Sequence, residues 1–196
     1  KAADSIFSAG QQNINFGTSI ENLIGSSFDD QLYGNSSPNK IAGGGGSDSI
    51  FGGAGVDTAV FNFSSAQARL SYTTDTQTVK HWQLSYGSDV NTLSAIERVE
   101  FNDLGVALDM DGAAGDAAKL LGVLKGPKGL EDAVLVSAVL DIADTGLGLG
   151  GLLALGLNVL LGNDPSPEEV IQLMHNSLTG VDAGAALLAD LKNQFQ

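Results

Sequence analysis

An apolar residue returns at every ninth position through the first third of the chain: Ile14, Leu23, Leu32, Ile41, Ile50 and Ala59. Neither a helix nor a simple alternating strand has that period. A fixed repeat of this kind describes a solenoid, where each short unit buries its apolar residue only against its neighbours. On that register the units read FGTSIENLI, GSSFDDQLY, GNSSPNKIA, GGGGSDSIF and GGAGVDTAV. The last two fit G-G-x-G-x-D-x-U-x, with U apolar and Ala59 a small residue in that place. The second and third keep Gly first and Asp30 or Asn39 sixth. A glycine-rich linker would not hold an apolar residue in step over so many units. A roll without metal would stack carboxylates with no counter-charge, which is costly.

The segment from about residue 16 to 62 resembles the RTX, or hemolysin-type, calcium-binding nonapeptide repeat. The physical chemistry of the unit agrees. Glycines admit left-handed backbone angles, so six residues can turn sharply and point carbonyls inward. The remaining three form a short strand that buries U. Calcium takes about six to eight oxygens at roughly 2.3–2.6 Å, which carbonyls and sixth-position carboxylates supply. The resemblance implies a parallel β-roll in which one turn takes two repeats, so aligned loops lie two repeats apart. Asp30 and Asp48 then fall on one side, and Asn39 and Asp57 on the other. The backbone at Gly43, Gly45, Gly52 and Ala54 completes the expected donor set. One good site is expected between the Asp30 and Asp48 loops. A weaker one is expected between the Asn39 and Asp57 loops, since Asn brings no charge. Glu21 occupies the sixth position of the first unit, where its extra methylene argues against a further site with Asn39.

Composition divides the rest. Twelve acidic residues lie in 1–110 and eleven in 111–196, so the formal net charge of −14 belongs to the whole chain. That charge argues against binding a phosphate backbone, and Cys 0 excludes disulfides and thiolate chemistry. Hydrophobic content of 43% is that of a folded protein. Two bound calcium ions would bring the charge to about −10. Every aromatic from Phe7 to Phe101 lies in the first part, and only Phe195 lies beyond. After Asp111 the chain turns to Ala, Leu, Val and Gly, a shift from strand to helix propensity. The fold expected is mixed β and α: a calcium-binding β-roll over 1–62, a β cap over 63–110 and an α-helical bundle domain over 111–196. The opening KAADSIFSAG, with no Met and no apolar leader, reads as an internal piece of a longer protein.

In the cap, TAVFNF, ARLSYT, TVKHWQLSY, AIERVEF and VALDM read as strands. The piece GSDVNTLSAIERVEFND resembles the terminal unit that follows such repeats in secreted proteins. It also echoes TSIENLIG, which places Glu21 and Glu97 in one context and predicts that both hold backbone amides. Strand alternation puts one of His81 and Trp82 in the core and the other on the solvated face; the functional alternative is a sugar-stacking Trp82.

Helices are expected over 113–124, 130–144, 147–161 and 167–178, with a last one starting near Val181. Ser166-Pro167-Glu168-Glu169 is a helix start with both a cap and Pro first. LDMDG at 108–112 lacks the downstream Glu of an EF-hand, so Asp111 is expected to cap the following helix. The uncharged run 147–161 is short of the roughly 20 residues a bilayer requires, which favours a central helix of a small bundle over membrane binding. The stretch from LDMDGAAGDAAKLLGVL onward resembles a helical module that follows RTX repeats in type I-secreted bacterial proteins.

No HExxH, GxSxG or P-loop is present, and the two histidines lie in different predicted domains. The expected function is non-catalytic: a calcium-binding module of a secreted or cell-surface bacterial protein, supporting calcium-dependent folding and export. The alternatives are an adhesin or surface-layer module that recognises a glycan or protein, and an ancillary region of a secreted hydrolase.

Overall fold

The computed structural model describes residues 4–6, 13–15, 21–75 and 80–194, with side chains described for 21–75 and 80–190. The chain forms two compact units, Lys1–Leu108 and Asp109–Gln196.

Among the described residues, the first unit begins with seven three-residue strands. They are β1 Asp4–Ile6, β2 Asn13–Asn15, β3 Asn22–Ile24, β4 Gln31–Tyr33, β5 Lys40–Ala42, β6 Ser49–Phe51 and β7 Thr58–Val60. From β3 onward, the middle residue of each is buried, because U points inward while its neighbours point out. Odd strands pair in parallel in one sheet and even strands in the other, always eighteen residues apart. One coil therefore takes two repeats. Leu23, Ile41 and Ala59 stack in one sheet and Leu32 and Ile50 in the other, all nearly or wholly inaccessible. Each buried Leu or Ile contributes roughly 1.5–3 kcal/mol. The side chain of Ile14, and residues 16–20 of the first unit, lie outside the described residues. The stacking reaches the outer face too, where Tyr33 and Phe51 lie parallel with centroids 4.7 Å apart.

Five further strands complete this unit: β8 Arg69–Thr74, β9 Lys80–Tyr86, β10 Asp89–Ser94, β11 Arg98–Glu100 and β12 Gly105–Ala107. They continue the roll's own sheets. β10 adds in parallel to β6, placing Leu93 beside Ile50, and β11 adds in parallel to β7, placing Val99 beside Ala59. Antiparallel β9, β8 and β12 then finish the two six-stranded sheets. Residues 78–79 of TVKHWQLSY lie outside the described residues. Phe61, Phe63, Phe101 and Tyr86 gather at this end, with Phe63 and Tyr86 stacked at 4.0 Å.

Among its described residues, the second unit holds five helices: α1 Ala113–Lys125, α2 Ala133–Ala143, α3 Leu149–Leu161, α4 Pro167–Thr179 and α5 Ala185–Gln194. α1 is the hub and packs against α2, α3 and α4. Its Ala117, Leu120 and Leu124 join Ala143 and Leu152 in a core of their own. The Gly/Leu run is therefore not the central helix: α3 buries Leu152 but leaves Val159 76% exposed. α1 takes the centre because its Ala-rich faces let three helices approach, and Gly156 of α3 leaves room for the side chain of Leu124. α2 starts later than its pattern suggests, since Pro127–Leu130 is a 3-10 turn and Asp132 Oδ1 accepts from the amides of Val134 and Leu135. Asp111 is not the N-cap of α1. Gly112 is the N-cap of α1 and has no side chain to offer, while Asp109 Oδ2 accepts the Ala114 amide at 3.3 Å. The Ser166–Glu169 capping box forms in both directions.

Candidate metal centre

The loops between the short strands align into two stacks, one per side of the roll. On one side lie the loops that end in Asp30 and Asp48, on the other those that end in Asn39 and Asp57. The sixth-position side chains are buried: Asp30 at 7%, Asn39 at 4%, Asp48 at 2% and Asp57 at 0% exposure. Carboxylates so placed need compensation.

Part of it comes from the neighbouring coil. The amide of Asp30 donates to Asp48 Oδ1 at 3.0 Å, and that of Asn39 donates to Asp57 Oδ1 at 2.8 Å. The ladder then continues past the last repeat. Asp48's amide donates to Asn91 Oδ1 at 3.0 Å, and Asp57's to Glu97 Oε2 at 2.8 Å. Glu97 thus holds a backbone amide, as the echo of TSIENLIG predicts. Glu21 contributes its carbonyl, which accepts from the Lys40 amide at 2.7 Å.

The second oxygens turn into the loops. Asp30 Oδ2 accepts from the Ser26 amide at 2.6 Å and hydroxyl at 2.8 Å, and it packs on Gly25 beside the Gly43 carbonyl. Asn39 Oδ1 accepts the Asn35 amide at 2.8 Å and packs on Gly34 beside the Gly52 carbonyl. Asp48 Oδ2 faces Gly43. Asp57 Oδ2 lies against Gly52 and is buried with no hydrogen-bond partner among the described residues. In each case a Cβ on the glycine would collide with an oxygen, so first-position glycine is what lets the oxygens pack this close to the backbone. Gly44 and Gly53, at φ +103° and +112°, make the turn itself and lie against the carbonyls of Ser26 and Asn35.

The structure thus brings Asp30 together with Gly43, and Asn39 with Gly52. Gly45 and Ala54 it places through their amides, which donate to the Ser26 and Asn35 carbonyls at 3.0 Å each. Sequence reasoning passed over Asn91, although the signal was available. Asn91-Thr92-Leu93 and Glu97-Arg98-Val99 repeat the D-x-U end of the nonapeptide without its glycine-rich start.

Burial dominates the electrostatics. It pushes the carboxyls of Asp48 and Asp57 up to about 6, with Asp30, Asp29 and Asp89 adding to the effect at Asp48 and Glu97 at Asp57. Hydrogen bonds from the amides of Asp30 and Asn39 work against it. A cation in the loops would reverse the balance. Among the described residues no three His, Asp or Glu side chains converge as a metal cluster. The donors are oxygens only, carbonyl and carboxylate mixed, which suits a hard divalent cation such as Ca2+ and not zinc or copper.

Comparison with known proteins agrees with this geometry. Residues 24–59 match the RTX calcium-binding nonapeptide repeat in four copies. No curated protein matches the chain. The repeat binds Ca2+, is a structural and not a catalytic motif, and occurs in extracellular secreted proteins. The short parallel strands of residues 24–59, joined by loops that turn buried oxygens inward, are accordingly similar in sequence and geometry to the RTX calcium-binding nonapeptide repeat, and a helical module follows them in the chain.

Proposed function

We propose that this chain is the calcium-dependent folding module of an extracellular or surface protein, non-catalytic in itself, and that calcium couples its export to its folding. Ions sit between the Asp30 and Asp48 loops and, more weakly, between the Asn39 and Asp57 loops. The observation that carries this reading is the pair of loop stacks, where buried sixth-position oxygens meet carbonyls of the next coil above a glycine. Without cations the buried acids repel each other and oppose closure of the roll. With millimolar calcium the folded form alone binds, and binding energy becomes folding energy. Calcium-poor cytosol then keeps the segment open for export, and the exterior closes it.

The non-catalytic reading is supported by what the carboxylates are doing. In a recess of about 530 Å3 on the helical unit, Glu168 and Glu169 lie side by side, but Glu169 is committed to the cap of α4. His81 faces Asp75 at 3.2 Å in the first unit, while His175 belongs to the second. Circular dichroism in calcium and in EGTA tests the proposal. A strand signal that grows with calcium is expected, and identical β content in both overturns it.

One observation favours the binding-module reading as a second possibility. Tyr72, 53% exposed, and half-buried Trp82 meet at 4.9 Å on β8 and β9, and the Lys80 ammonium lies 5.9 Å from the Tyr72 ring. Such a platform suits the face of a sugar ring. A glycan array probed with the chain and with Trp82→Ala decides it: equal signals, or none, remove this reading.

A further inference from the structure

The contact at Gly52 differs from the others. The carbonyl that packs there beside the carboxylate comes from Ala95, beyond the last repeat. Ala95 stands where Gly43 stands over Gly25 and where Gly52 stands over Gly34. The Gly52 amide confirms that register, since it donates to the Ser94 carbonyl at 3.0 Å as Gly34's does to Phe51's at 2.7 Å. Ala95 holds φ +50°, a left-handed angle that a non-glycine residue adopts at a cost. Two residues later Glu97 takes the sixth-position role and accepts the amide of Asp57. Ala95–Glu97 is therefore a repeat loop shortened from six residues to three, with its first and last members in place.

Asp57 Oδ2 lies against Gly52 together with this carbonyl, on a residue at 0% exposure, and it has no hydrogen-bond partner among the described residues. We infer that a divalent cation, calcium by its oxygen donors, binds between the last repeat loop and the cap, held by Asp57 Oδ2, the Ala95 carbonyl and the Glu97 carboxylate. The inference rests on the calcium reading of the roll and adds a site that the nonapeptide pattern does not contain. A three-residue loop offers fewer carbonyls, so water completes the shell. Asp57 and Glu97 bring two acids, as Asp30 and Asp48 do in the roll. The ion would join strands β7 and β11, making the cap's attachment to the roll calcium-dependent.

The test is calcium stoichiometry of the full chain by equilibrium dialysis, comparing wild type with Glu97→Gln and with Glu100→Gln. Glutamine at 97 keeps an oxygen for the Asp57 amide while removing the charge. Glu100 is an exposed acid that pairs with Lys40 at 2.6 Å and serves as the control. The expected result is one ion fewer, or one step weakened at least tenfold, in Glu97→Gln alone. Amide NMR of the wild type gives a second readout: the Ala95–Arg98 resonances should shift with calcium in a step separable from those of Asp30 and Asp48. Wild type that binds no calcium overturns the function proposed above. Normal binding, with Glu97→Gln unchanged and the Ala95–Arg98 resonances still, overturns this site alone.

Discussion

The two units bury their apolar residues by different means. In the roll each strand is three residues long and contributes one inward side chain, so no unit has a core without its neighbours. In the helical unit α1 alone presents Ala117, Leu120 and Leu124 to three partners, and the turns between helices carry their own caps. The roll also places acids at 0–7% exposure inside its loops, whereas the acids that cap the helical unit are exposed. On the function proposed above, the first unit draws its stability at neutral pH from bound calcium, and the second does not.

Core truncation should show this contrast at its largest. Ile50→Ala and Leu152→Ala each remove a fully buried side chain, and each should cost about 2–5 kcal/mol. Denaturant melts of the full chain followed by strand and by helix signals should show the Ile50→Ala loss only when calcium is present. The Leu152→Ala loss should be the same with and without it. An equal calcium dependence in both would erase the distinction drawn here.

A smaller effect is expected from Gly44→Ala, which forces a side chain to φ +103° against the Ser26 carbonyl. The strain alone is about 1–3 kcal/mol, and the calcium midpoint for strand formation should rise accordingly. Gly148, which caps α3 with open space around it at φ −62°, is the matched position in the other unit. There Gly148→Ala should leave that midpoint where it was.

Acidity separates the units by sign. Asp48 and Asp57 have folded values raised from 3.8 to about 6, so without calcium their contribution to folding is fully present below pH 3.8 and is lost as pH rises through 6. The calcium-free roll should hold more strand structure at pH 4 than at pH 7. Saturating calcium should invert that order, because ions bind the deprotonated acids. Glu169 is lowered by its bonds to Ser166, so α4 gains its small contribution at neutral pH and loses it on acidification. Thermal melts at the two pH values, with and without calcium, check all three signs.

The smallest effect concerns the α4 cap. Ser166→Ala should cost the helical unit about 1 kcal/mol and leave calcium binding untouched.

Much of the roll could be read from the chain because its period is rigid. A residue at U has only one direction to point, and Leu32, Ile41 and Ile50 are at 0% exposure. The capping box at Ser166 was legible for a similar reason, since it is made within four residues. What escaped depended on partners distant in sequence. Asn91 joins the ladder across 43 residues, after the glycine-rich half of the motif has gone. The centrality of α1 was hidden because small residues look weak beside the Leu-rich run of α3, although close packing needs them. Asp111 was displaced as a cap by Gly112 and Asp109, a local choice that composition does not reveal.

The central claim is that calcium folds the roll and not the helices. Amide hydrogen exchange of the full chain, in calcium and in EGTA, tests it residue by residue. The amides of Asp30, Asn39, Asp48 and Asp57, each bonded to the coil beyond, should be protected in calcium and exchange freely in EGTA, while those of α1 keep the same protection in both. Protection at those four amides that persists unchanged in EGTA would contradict the account.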